Sequence, residues 1–414
     1  MTTMDDCATN SGEGETLAPV QGTDAEGFQT GRVVSISLAH GMNDTYTSFL
    51  APLLPALIAK LALSRTEAGF LALLQSFPSL LQPIIGHLAD RLNLRYFVIL
   101  APAVAATMMS LLGVAPYYAV LALLVVVAGL SSASLHASAP AMAGRLSGPR
   151  LGRGMGFWLI GGYLGLALGP IIVVSAVNFL TLEGTPWLMI GGWLGSAILY
   201  MRLRDVPGPL PTHGQGNSWR EGLQAMRPIL APVVGIIVAR GLLMSAMLTF
   251  LPTFLTEQGA NLWLAGVSLS LVHVSSAVGA LLAGSIADRL GRRLVVSISM
   301  FSAPLLMFVF LGVGGAVRLP VLLMLGLAVP ATQVVLMALV QESCPENRAL
   351  ANGVFMSVTF ISESAGAVVL GILGDLFGLR PAFATGAVVL LLGLPLVLLV
   401  PVESAAASQV TGAQ

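Results

Sequence analysis

The sequence predicts an all-α integral membrane protein: twelve transmembrane helices in two six-helix bundles related by a pseudo-two-fold axis. Three observations carry that prediction. The 414-residue chain is 56% hydrophobic and only 9% charged, whereas a soluble domain carries roughly 25% charged residues, so lipid must be its main solvent. Twelve apolar runs of about 20 residues, the length that crosses a bilayer, succeed one another along it. A short charged string, GHLADRLNLR at 86–95, recurs as GSIADRLGRR at 284–293, each time between two of those runs.

In order, the runs cover 33–58, 66–89, 95–114, 117–141, 153–176 and 185–202, then 228–255, 262–286, 294–314, 318–340, 350–374 and 381–400. Ahead of them, residues 1–31 are polar, acidic and Gly/Thr-rich and predict a disordered tail. Residues 402–414 form a second tail. The longest polar interruption, 203–227, carries Pro207, Pro209, Pro211 and Gly214 and reads as a linker. It divides an amino-terminal bundle, 32–202, from a carboxy-terminal bundle, 228–401. The repeat extends past the charged string. Asp90 and Asp288 are 198 residues apart, while Gly129 and Gly326, and Gly156 and Gly353, are 197 apart. An even number of spans per half makes the halves parallel repeats about an axis along the membrane normal. The 46 glycines and 24 prolines suit membrane helices, where small residues permit close packing and neighbours re-satisfy freed backbone groups.

Orientation follows from the basic residues, which concentrate on cytoplasmic loops. With the amino terminus inside, the cytoplasmic loops hold fourteen of the 19 Lys and Arg. The outer loops hold Lys60, Arg65, Arg318 and Arg380, and Arg240 falls within a span. Both termini are therefore expected in the cytoplasm. The net charge of zero offers no field for nucleic acid. Cys7 and Cys344 have neither disulfide nor metal-site spacing. No nucleotide loop, nucleophile motif or metal-ligand cluster is legible, so no enzymatic activity, cofactor or metal is expected. The chain is expected to act as a monomer in the bilayer.

The string G-x-x-x-D-R-x-x-x-R after the second run, repeated after the eighth, resembles the signature loop of the major facilitator superfamily of transporters. The copy at 288–293 matches fully; the first has Asn93 and Leu94 where Gly and Arg are usual. Within that superfamily, SLAHGMNDTY (37–46), SLLQPIIGHLADR (79–91) and GLSSASLHASAPAMAGR (129–145) are similar to the fosmidomycin-resistance group of drug exporters. Where that group has Pro-Glu after the histidine of the fourth span, this chain has Ala137-Ser138. Gly165, Gly169 and Pro170 of GLALGPIIV resemble the helix-packing motif of the superfamily's antiporters. The resemblance implies alternating access to a midplane site and favours export.

Ionisable side chains at membrane depth are costly and mark pathways or proton relays. His40 and Asp44 lie one turn apart in the first span and share a face with Ser37, Thr47 and Ser48. They predict a water-lined stripe with Asp44 as proton carrier. His136, in the fourth span, carries an imidazole, a group that ordinarily titrates near physiological pH, and Gln333 occupies its repeat-equivalent place in the tenth; both are expected on a central cavity. Arg240 must find Asp44, Glu363 or an anionic substrate, because a guanidinium cannot shed its charge. Glu363, between Ser362 and Ser364, is a second proton site or a tie between helices. Gln75 and His273, 198 residues apart, read as ties. Asp90, Arg91 and Arg95 with Asp288, Arg289 and Arg293 form gating loops at helix ends, where they can cap orphaned backbone groups.

Together these readings lead to a secondary transporter of the bacterial inner membrane. It is expected to export a small organic compound, anionic or drug-like, by proton antiport. The alternative is a proton symporter that imports an organic acid. In a chain freed of Cys7 and Cys344, single cysteines at 148 and 214 should be labelled only from the cytoplasm, and those at 115 and 183 only from outside. Outside labelling of position 214 would overturn the orientation.

Overall fold

The computed structural model describes residues 27–82, 85, 95–206, 219–344 and 348–400. Every apolar run that falls within them is helical. The first half comprises α1 (Thr30–Thr47), α2 (Leu50–Leu61), α3 (Arg65–Ser76), α4 (Arg95–Ser110), α5 (Tyr118–Leu146), α6 (Leu151–Leu180) and α7 (Met189–Leu203). The second comprises α8 (Trp219–Ser245), α9 (Leu251–Glu257), α10 (Leu262–Leu290), α11 (Arg292–Gly312), α12 (Arg318–Glu342), α13 (Arg348–Phe377) and α14 (Leu379–Leu392). Among the described residues, 9 helices are long and apolar enough to cross a membrane. Large apolar side chains such as Phe179, Trp187 and Leu392 stand exposed on the perimeter, a surface that only lipid covers without penalty. Two expectations shift. The stretch 203–227, read as linker, is already helical from Trp219. Of the expected gating residues, Asp90 and Arg91 lie outside the described residues, as do most of the two tails.

The first span of each half is interrupted, and at equivalent depths. The first breaks between α1 and α2, at Ser48 and Phe49. The seventh widens into a π turn, Ala246–Phe250, between α8 and α9. Interruptions of this kind free backbone groups and recur at transport sites. The freed carbonyl of Thr47 is met by Gln75, whose amide nitrogen donates to it at 2.6 Å.

A glycine stripe on α6 sets the position of α1. A Cβ on Gly165 would lie 2.2 Å from the Gly41 carbonyl oxygen, and one on Gly169 would lie 2.2 Å from that of Thr45. No larger residue fits without pushing α1 away. Pro170, buried inside the same helix, follows directly. These are the residues of the expected packing motif, and they press against the polar face of α1.

Each half anchors its last span in the same way. Arg95, opening α4, donates from Nη1 to the Val206 carbonyl at 3.1 Å, just beyond α7. Arg293, opening α11, donates to the carbonyls of Leu398 and Val400, beyond α14. A guanidinium there satisfies carbonyls that a helix end leaves orphaned. Asp288 and Arg289 occupy the last turns of α10, and Arg292 forks onto Glu342 of α12.

At the opposite end the halves are tied to each other. Asp375 of α13 accepts from the backbone N–H of Arg65 and Thr66, both at 2.9 Å, and from the Thr66 hydroxyl at 2.6 Å. The Arg65 guanidinium reaches Glu257 of α9 at 2.7 Å. Ser64 and Glu67 complete the cap of α3 with a reciprocal capping box.

The glycine stripe yields a paired prediction. Gly165→Val should cost about 1–3 kcal/mol or more through forced separation of α1 and α6. Gly156→Ala, on the same helix with open space around it, should be neutral or gain up to about 1 kcal/mol. Thermal unfolding in detergent measures both, and equal midpoints for the two variants would disprove this account of the packing.

Candidate functional site

A cavity of 430 Å³ lies between the halves beside both helix interruptions. The first half lines it with Asp44, Thr47, Gln75, Ser132 and His136, and the second with Ser245, Leu248, His273, Phe360 and Glu363. Such a volume sits at the lower end for small-molecule sites.

On the wall from the first half, three side chains from two helices converge. His40 Nε2 is 3.1 Å from Asp44 Oδ2 and 3.1 Å from His136 Nε2. His136 Nε2 is 3.8 Å from Asp44 Oδ1. The far nitrogens of both rings face backbone oxygens. His40 Nδ1 donates to the Trp158 carbonyl at 2.9 Å, and His136 Nδ1 lies 2.9 Å from the Ser132 carbonyl oxygen and 3.3 Å from the Ser132 hydroxyl. The Trp158 carbonyl can only accept, so His40 Nδ1 carries a hydrogen, whereas the Ser132 hydroxyl can donate to His136 Nδ1 and leave the hydrogen of that ring on Nε2. The two Nε2 atoms and the Asp44 carboxylate therefore converge on one point, where a single proton can be shared. Among the described residues this is the group of His, Cys, Asp or Glu side chains, with donor atoms within 4.8 Å of one another, that could share one small cation.

Neighbouring residues hold the cluster in place. Trp158 stacks its ring on His40, with centroids 3.7 Å apart. Asn43 donates from Nδ2 to Asp44 Oδ1 at 3.1 Å and to the Ser132 hydroxyl at 3.0 Å. Gly162 of α6 makes room for the His40 ring, which a Cβ there would meet at 2.4 Å.

The second half carries a separate cluster. Arg240, 3% exposed, donates from Nη1 to Glu363 Oε1 at 3.2 Å and from Nη2 to Gln333 Oε1 at 2.9 Å. Of the partners open to Arg240 in the sequence, the structure places it against Glu363. Glu363 also lines the cavity, whereas Arg240 and Gln333 stand behind that wall. Gln333, expected on the cavity as the counterpart of His136, instead holds Arg240. His273, read as a tie, lines the cavity, and Gln75 both ties and lines. Asp288, Arg289, Arg293 and Arg95 lie at helix ends, away from the cluster.

Asn43, Ser132 and Trp158 carried no signal of their own in the sequence. Ser132 stands one turn before His136 and Asn43 precedes Asp44, but nothing local shows that their side chains meet. Trp158 contributes a backbone oxygen, which no residue type announces.

Comparison with known proteins agrees with this architecture. The sequence profile of the Major Facilitator Superfamily matches residues 36–367. The chain is 25% identical to an uncharacterised transporter of that type from Bacillus subtilis, YfnC, over 87% of this chain and 91% of that one. It is 22% identical to the fosmidomycin resistance protein of Escherichia coli, over 87% and 90% of the two chains. A crystal structure of a bacterial homologue of the human lysosomal transporter Spinster superposes with a TM-score of 0.75 at 14% identity, covering 90% of this chain and 97% of that one. Twelve apolar segments, a duplicated half and a cavity between the halves are thus those of a multi-pass membrane transport protein, and the chain belongs to the major facilitator superfamily.

Proposed function

We propose that the chain is a proton-coupled antiporter that exports a small organic compound across the bacterial inner membrane. The observation that carries this reading is the convergence of His40, Asp44 and His136, with His40 Nε2 3.1 Å from both the Asp44 carboxylate and His136 Nε2. Such a cluster can take up one proton and share it between its nitrogens and its carboxylate. Asp44 and His136 line the cavity, so a proton there and a compound beside it compete for the same polar wall. Similarity to the fosmidomycin resistance protein supports the outward direction.

The cytoplasmic amino terminus inferred from the basic loops puts the tie between Arg65, Glu257 and Asp375 on the outer side. On that orientation the cavity would load from the cytoplasm, since the tie closes the outer side. Export would proceed by binding the compound as the proton leaves to the cytoplasm. The halves then rock, and a proton from outside replaces the compound. His136 and His273 on the cavity keep the symport alternative in view, since protonated imidazoles would hold an organic acid. Arg240 is assigned a structural part, pairing with Glu363 and not with the substrate.

In inside-out vesicles with an imposed pH gradient, Asp44→Asn should reduce uphill accumulation below about a tenth of wild type for any compound the wild type concentrates. One proton carrier is lost while the shape of the site is kept. Exchange without a gradient should persist in part. Undiminished accumulation would remove Asp44 from the coupling.

Arg240→Ala should destabilise the protein by about 3–5 kcal/mol, the cost of breaking a buried pair and leaving one charge alone. Adding Glu363→Gln should return much of that. Unfolding midpoints of the single and double variants decide it; an Arg240→Ala protein of wild-type stability that has lost ligand binding would place Arg240 on the substrate instead.

A further inference from the structure

Exchange of a proton for a compound constrains the charge of that compound. Resting on the antiport reading, we propose that the compound carried is a small organic cation, an ammonium or amidinium group on a compact apolar body, seated between Asp44 and Glu363.

In an antiporter the compound binds once the proton has gone. In that state the Asp44 carboxylate faces two neutral imidazoles, His40 and His136. Across the cavity, Glu363 is balanced by Arg240 behind it, and a neutral His273 adds no charge. The described groups around the cavity then sum to one negative charge. A monovalent cation neutralises it. An anion would add a second negative charge where water is scarce and charges are poorly screened.

The placement of basic groups supports the same choice. Among the described residues, no lysine or arginine lines the cavity. Arg240 is buried behind its wall, and both of its terminal nitrogens are engaged, on Glu363 and on Gln333. An anion entering the cavity meets the carboxylate face of that pair. A cation meets acceptors from both halves. The remaining walls, among them Leu248, Leu269, Met356 and Phe360, suit an aromatic or aliphatic body. Soft side chains of this kind adapt to varied shapes.

Ligand charge and coupling direction are therefore linked through this site. A symporter loads its compound onto the protonated cluster, where imidazolium groups face the cavity, and that site favours an anion. The antiporter loads onto the deprotonated cluster and favours a cation.

Three probes on one scaffold test the proposal: phenylbutylammonium, phenylbutanol and phenylbutyrate, titrated against the full chain in nanodiscs at alkaline pH. The ammonium should bind at least about tenfold more tightly than the alcohol, as expected for one charge-assisted hydrogen bond. The carboxylate should bind more weakly than the alcohol. Asp44→Asn and Glu363→Gln should each reduce the ratio of ammonium to alcohol affinity severalfold. Partial unfolding lowers both affinities and leaves that ratio alone. Carboxylate binding as tight as ammonium binding in wild type would overturn the proposal, as would a ratio unchanged in both variants. A second arm follows ammonium flux and proton flux in wild-type vesicles. Opposed fluxes support the exchange. Selective ammonium binding with both fluxes in one direction would sink the antiport reading and leave the cation assignment standing.

Discussion

The cost of holding charge away from water governs this molecule. An arginine at the middle of a spanning helix costs about 2.5–3.5 kcal/mol on insertion scales, and a carboxylate is also expensive there. The chain meets that cost with two closed groups. Asp44 is held with His40, His136 and Asn43, all from the first half. Arg240 is held with Glu363 and Gln333, all from the second. Among the described residues, the hydrogen bonds and ion pairs of each group stay within its own half. The halves can therefore rock against each other without leaving a buried charge alone, which a pair shared between the halves would not allow.

The two groups need short distances between helices, and backbone features supply them. Gly162, Gly165 and Gly169 bring α6 against the polar face of α1, close enough for a Trp158 carbonyl to fix the hydrogen of His40. The interruptions at Ser48 and at Ala246–Phe250 open each first span beside the cavity. They sit one repeat apart, so the duplication governs the site as well as the topology. The matching anchors from Arg95 to Val206 and from Arg293 to Val400 repeat the same design at the helix ends.

Periodicity and repetition made the spans, the halves and the shared face of His40 and Asp44 legible, because each of these is local or recurs at a fixed interval. The approach of His136 to that pair is tertiary, and only its polarity within an apolar helix hinted at it. Gln333 shows the limit of the repeat argument. Equivalent positions share a depth, but side-chain rotation is set by neighbours, and Arg240 draws Gln333 behind the cavity wall. His273 errs in the other direction: polar and repeat-matched to Gln75, it reads as a tie but faces the cavity. The break at Ser48 left no trace because Pro52 and Pro55, the obvious helix disruptors, lie inside α2 and are tolerated there. The helical start at Trp219 was obscured by the Pro and Gly residues just before it.

The tie between Arg65, Thr66, Glu257 and Asp375 shows how two halves can close firmly and still part. The first-turn N–H groups of a helix have no partner within it. In α3, Ser64 serves that of Glu67, while Asp375 from the other half serves those of Arg65 and Thr66. Close backbone contact accompanies it, since a Cβ on Gly371 would lie 2.4 Å from the Arg65 carbonyl oxygen. All of these polar partners lie at the exposed end of the fold. When the halves part there, water takes over each donor and acceptor, so the exchange of hydrogen bonds is nearly balanced and an exposed charged pair contributes only about 0–1 kcal/mol net. The same bonds placed at the midplane would have no replacement on opening. Charges that must stay paired are kept within one half, and bonds that must break are placed where water can substitute for them. That division lets one fold present its cavity to either side of the membrane.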